Sequence, residues 1–230
     1  MSDKTGTSDN IKGFTLIEVL IAIVIFAMVV TVVFTSFREI AFSAGVINKT
    51  GHVYEMANGA MCIMTRDLES VFVEQKPGYQ KPGFDADPDP CRFEGGTELT
   101  GNTVFPKIRF TTLSHLPVNR DNRGGIAEVV YYMDESEEYG FVLRRSDRIF
   151  FSEEFVKKKS HPVLLRKIKT FTVKYYDAEG GEHDDWDSES DEYRYATPSA
   201  VGIWLEIEDD DRVLPFEIRI QLKCVREKTE

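Results

Sequence analysis

The densest group of chemically competent side chains lies near the carboxyl end, in "EHDDWDSESDE". Asp184, Asp185, Asp187, Glu189 and Asp191 place five carboxylates within eight residues. Alternating carboxylates are the donors that wrap Ca²⁺. An EF-hand loop counted from Asp185 needs glycine at its sixth position and glutamate at its twelfth, and Ser190 and Ala196 stand there instead. The stretch therefore reads as a solvated acidic loop, with calcium as the alternative; no other metal and no cofactor is expected. The rest of the chain holds little chemistry. It has no G-x-S-x-G, no H-E-x-x-H and no Walker loop. His52, His115, His161 and His183 are scattered without ligand spacing, and His52 reads as a helix-surface residue. Cys62, Cys91 and Cys224 are too far apart for a C-x-x-C site and allow at most one internal pair.

One further carboxylate stands out by its surroundings. Glu18 opens "EVLIAIVIFAMVVTVVFTSF", in which Val19 to Phe37 carry no charge. A run of that length spans a bilayer as a helix. A secretory signal peptide would need a basic leader, a shorter apolar core and a small-residue cleavage site. Here residues 1–13 hold two Lys against two Asp, and Phe42 occupies the −3 position for cleavage after Ala44. A simple anchor fits the length but leaves an acid inside the apolar run, where carboxylates are costly.

The net charge of −11 is concentrated: Asp177 to Glu192 holds nine acids and no Lys or Arg. With no aromatic-interleaved basic run in the sequence, nucleic acid is an unsuitable partner. Beyond the apolar run, Val53, Met56/Ala57, Ala60/Met61, Met64, Leu68 and Val71/Phe72 recur at helical spacing, with Arg66, Asp67 and Glu69 off the stripe. Gly45, Gly51 and Gly59 are expected to bend this helix without ending it. Four prolines and five glycines then crowd the 73–102 stretch, which reads as a partner-facing loop. Six strands follow: "KIRFTTL", "AEVVYYM", "GFVLRR", "LRKIKTFTVKYYD", "VGIWLEIE" and "LPFEIRIQLK". The last two alternate most cleanly, with Val201, Ile203, Leu205 and Ile207, then Phe216, Ile218, Ile220 and Leu222, on one face. "DESEEYG" and "EDDDRVLP" read as hairpin connections.

"GFTLIEVLIAIVIF" resembles the amino-terminal signature of type IV pilins and type II secretion pseudopilins. The resemblance implies a pilin-like α+β fold: a long amino-terminal helix, half membrane-spanning and half packed, followed by antiparallel sheet. It implies a prepilin leader over 1–13, a transmembrane helix over 14–37 and a periplasmic domain over 38–230. Within that domain it implies a helix over 38–75, the 73–102 loop and a β-rich part over 103–230. A prepilin peptidase would cut between Gly13 and Phe14, and the new amine of Phe14 would be methylated. Glu18 would be the assembly carboxylate, paired with the Phe14 amine of a neighbouring subunit or of its own chain.

"MTRDLESV", "VVYYMDESEEYGFVLRR", "LLRKIKTFTVKYYDAEG", the acidic stretch with Trp186 and the closing "LPFEIRIQL" resemble, in their order, J-type minor pseudopilins of type II secretion. That resemblance implies a non-enzymatic structural subunit of a pseudopilus tip. Its partners would be the I-type and K-type minor pseudopilins, the major pseudopilin and the prepilin peptidase, with no small-molecule substrate. Its place would be the bacterial inner membrane, single-pass, with the carboxyl-terminal domain in the periplasm. A minor pilin of a type IV pilus, or a membrane-anchored periplasmic enzyme or receptor, stands as the alternative.

Overall fold

The computed structural model describes residues 15–81, 83, 89–115, 125–149, 155–210 and 212–229, without the side chains of 39–50. Helix α1 runs Leu16–Glu69, through Gly45, Gly51 and Gly59. The chain divides into two compact units, Met1–Gly51 and His52–Glu230.

In the first unit, Leu16–Arg38 is long and apolar enough to cross a membrane, and its side chains are exposed along its whole length. Apolar side chains are exposed all round this part of α1, as a lipid-facing helix requires. Its threonines spend their hydroxyls on their own helix: Thr31 donates to Ala27 O at 2.7 Å and Thr35 to Thr31 O at 3.0 Å.

In the second unit, the stripe expected on the helix is the one that packs. Ala57, Ala60, Met61, Met64 and Leu68 are buried, with Val53 and Met56 against the same cluster. They meet two antiparallel sheets. The larger holds β1 (Glu94–Thr100), β2 (Thr103–Thr112), β3 (Ala127–Ser136), β4 (Gly140–Arg148), β5 (Val163–Leu165) and β8 (Trp186–Asp187), in the order β5-β4-β3-β2-β1-β8. The smaller holds β6 (Ile168–Tyr176), β7 (Glu182–His183), β9 (Ala200–Asp209) and β10 (Arg212–Gln221), in the order β10-β9-β6-β7. Val201, Ile203, Leu205 and Ile207 are buried on β9, while the matching face of β10 is half-covered, with Phe216 edge-on to Tyr54 of the helix at 5.3 Å. Both hairpins form, with Ser136 opposite Gly140 and Asp209 opposite Arg212. Gly140 takes a φ of 65°, the left-handed position that closes such a loop. An aromatic row joins the sheets: Tyr175 to Phe93 at 5.9 Å, Phe93 to Phe110 at 5.7 Å and Phe110 to Tyr131 at 6.2 Å.

Three expectations need correction. The 73–102 stretch is not a loop throughout, because Glu94–Thr100 pairs with β2 from Glu94↔Arg109 to Thr100↔Thr103. Its glycines suggest a turn, but Gly95 lies where Tyr175 of the smaller sheet packs closely on β1: a Cβ there would lie 2.1 Å from the Tyr175 ring. The helix expected to reach residue 75 ends at Glu69. Thr112 donates to the carbonyls of Asp67 (2.9 Å) and Ser70 (3.1 Å), and Phe72 N then turns to Thr111 O at 2.9 Å. "LRKIKTFTVKYYD" is two strands, broken at Lys167 with a φ of 56°, where the chain leaves the larger sheet for the smaller.

Candidate functional site

The amino-terminal site is built by the first turn of α1. Thr15 precedes the helix and Glu18 is its third residue inside, the spacing of a capping box. Thr15 N and Oγ1 donate to Glu18 Oε2 at 3.4 and 3.5 Å, and Glu18 N lies 3.4 Å from Thr15 Oγ1. A carboxylate is also favoured at this end of a helix by the helix dipole. These hydrogen bonds are long, so a nearby cation with its stronger charge-assisted bond competes for the same oxygen. Gly13 and Phe14, the expected cleavage and methylation positions, lie outside the described residues. The Thr15–Glu18 spacing of a capping box is legible in "TLIE".

In the second unit the least expected residue is Asp67. Placed off the apolar stripe by sequence, it is fully buried. Arg145 Nε donates to Asp67 Oδ2 at 2.6 Å, and the Tyr131 hydroxyl donates to the same oxygen at 2.6 Å. Arg145 Nη1 also donates to Asp147 Oδ2 at 2.6 Å, and Asp147 Oδ1 meets His115 Nδ1 at 2.6 Å. Burial opposes the charge on Arg145, but the bond and charge of Asp67 outweigh it and raise its pKa. Burial, then the Asp67 charge, pushes the Tyr131 hydroxyl well up, so it remains a donor. A network of this kind ties the last turns of α1 to the middle of the larger sheet.

The acidic stretch is spent on protein partners. Asp184 takes Lys174 Nζ at 2.5 Å. The Asp185 carbonyl accepts from Tyr193, Asp187 Oδ1 accepts from Glu189 N, and Asp191 accepts from Tyr195. Glu189 is buried under Arg226, whose Nη2 donates to Glu189 Oε1 at 2.5 Å. Arg226 also holds Asp89 at 3.1 Å and the Tyr195 carbonyl at 2.7 Å, and its guanidinium lies 3.6 Å from the Tyr79 ring centre. Among the described residues no three metal-ligating side chains converge. Asp184, Asp185, Asp187, Glu189 and Asp191 thus face different partners instead of a common centre. The three cysteines are free: Cys62 exposed, Cys91 buried, and Cys224 half-buried beside Gln75 Nε2 at 3.2 Å. Burial, then Asp89, pushes the Cys91 thiol up to about 11.

A basic, aromatic-bearing face is absent as a run in the sequence, yet strand register assembles one. Arg109, Tyr132, Arg144 and Arg148 share the face of the larger sheet turned away from α1. Phe155 packs on Tyr132 at 5.3 Å, and Lys107 Nζ lies 5.0 Å from the Phe155 ring centre. Burial, then Lys158, Arg144 and Arg148, lowers the pKa of His161 at the edge of this face.

A capped apolar helix with one acid in its first turn, followed by a helical stripe laid on antiparallel sheet, defines a pilin-like protein. Residues 8–34 match the family model described as a prokaryotic N-terminal methylation motif. Residues 41–214 match the model described as type II secretion system (T2SS), protein J, and the chain belongs to that family. It is a J-type minor pseudopilin of the type II secretion system. No curated protein matches the chain.

Proposed function

We propose that the chain is cut between Gly13 and Phe14, methylated on the new amine, and held in the bacterial inner membrane by Leu16–Arg38 with its second unit in the periplasm. It then acts without catalysis, as a subunit of a pseudopilus tip with the I-type and K-type minor pseudopilins, above the major pseudopilin. The observation that carries this reading is the coincidence of the methylation motif with a span whose sole carboxylate, Glu18, comes four residues after Phe14 in the sequence. In a low-dielectric setting a carboxylate is tolerated when a cation neutralises it. The Phe14 amine of a neighbouring helix is such a cation, and helices lying side by side bring the second units together.

The test is Glu18→Gln in cells carrying the complete secretion system. Membrane insertion is expected to persist, because it rests on the apolar run. Recovery of the I-type and K-type subunits with the detergent-solubilised chain is expected to fall severalfold. Unchanged recovery together with unchanged secretion rejects the assembly role of Glu18.

A further inference from the structure

The chain is acidic overall, yet one face of it is not. On the side of the larger sheet turned away from α1, Arg92, Lys107, Arg109, Arg144 and Arg148 gather under the segment that carries Lys157, Lys158 and Lys159. Among the described residues four carboxylates sit among these eight cations, and all four are committed: Glu94 to Arg92, Glu128 to Arg109 and Arg148, Asp134 to Arg144, and Glu98 to Lys157. Lys158 and Lys159 are exposed, and Val156 beside them is 61% exposed. Burial first, and then Lys158, Arg144 and Arg148, lower the pKa of His161 beside them.

We infer that this face is a docking surface for an acidic surface of another protein subunit. The inference rests on the pseudopilin reading and adds to it which face of the domain meets a partner. Charge complementarity selects the occupant. Most of the guanidinium groups here are already bound to carboxylates, leaving few cations to neutralise the continuous row of phosphates that nucleic acid presents. An anionic lipid surface would call for several apolar groups projecting into it, whereas Tyr132 is buried, Phe155 packs on Tyr132 and His161, and Val156 stands exposed by itself among the described side chains of the segment. A protein partner needs only a few fixed cations with an aromatic platform beneath them. Lys107 over Phe155 and Lys157 over Tyr132 at 5.3 Å supply that arrangement.

The experiment uses the full chain, co-produced with the other pseudopilins and purified in detergent. Lys158→Glu with Lys159→Glu is the main variant, because both side chains are exposed and the fold does not depend on them. Lys107→Glu is the second. The wild-type complex is expected to lose about tenfold in apparent affinity for at least one subunit between 50 mM and 500 mM salt, roughly as rim charges do. The double variant is expected to show about that loss already at 50 mM salt and little further salt dependence. Retention of every subunit by both variants as strongly as by wild type overturns the inference while leaving the assembly reading intact. So does variant-sensitive binding to vesicles containing phosphatidylglycerol with subunit retention unchanged, which would assign the face to lipid. A wild-type chain that retains no subunit at all rejects the assembly reading itself, and this inference with it.

Discussion

Arg145 Nε lies 2.6 Å from Asp67 Oδ2, and both side chains are buried. The pair is 78 residues apart in sequence and joins α1 to β4. Two charges removed from water contribute little net stability as a pair, but removing one strands the other. Asp67→Asn is therefore expected to cost about 3 kcal/mol, at the low end of such losses because Asp147 still holds Arg145. Replacing both, Asp67→Leu with Arg145→Met, is expected to recover only part of that loss, because it takes a partner from the buried Tyr131 hydroxyl and from Asp147 Oδ2. Urea unfolding of the three proteins checks this. A single-variant loss below about 1 kcal/mol would contradict the role of the pair.

Gly95 tests the approach of the two sheets. An added Cβ would lie 2.1 Å from the Tyr175 ring, which is fully buried and has no room to retreat. Gly95→Ala is expected to cost at least about 1–3 kcal/mol, the range for overpacking. The same substitution in a Tyr175→Leu background is expected to cost less, since the clashing ring is gone. Equal losses in the two backgrounds, read from thermal melts, would show that the contact is not the cause.

His161 gives the protein a pH dependence of known sign. Its pKa is lowered in the fold by burial and by Lys158, Arg144 and Arg148. The folded state therefore binds the proton less readily than the unfolded chain does. This stability is fully present above the unfolded value of about 6.5 and is lost as pH falls through the lower folded value. His161→Gln is expected to flatten the decline of stability on acidification from pH 6.5 downward. Superimposable stability curves for wild type and variant would refute the assignment.

Much of this architecture is legible in the sequence where a single local pattern decides it. The alternation of β9 and the stripe from Ala57 to Leu68 each bury one face against the core, so their spacing alone marks that face. Strand β1 was hidden because Gly95 and Gly96 read as breakers, whereas Gly95 is small for the sake of Tyr175, 80 residues away in the chain. Asp67 was misplaced for a related reason. A carboxylate beside a stripe reads as solvent-facing unless its cation is known, and Arg145 is supplied by a distant strand. The basic face is likewise a product of register, since its cations come from several strands and the segment over them. Glu18 was found by its surroundings, and its Thr15 partner lay three residues before it, within reach of a local reading.

The proposed processing makes a pilin-type amino terminus at Phe14. Intact-mass and terminal-peptide mass spectrometry of the chain from a membrane with an active prepilin peptidase addresses it directly. The expected product is a chain beginning at Phe14 with one methyl group on its amine, and an unprocessed chain is expected when Gly13 is replaced by a bulkier residue. A chain that still begins at Met1 in the presence of the active peptidase would contradict it.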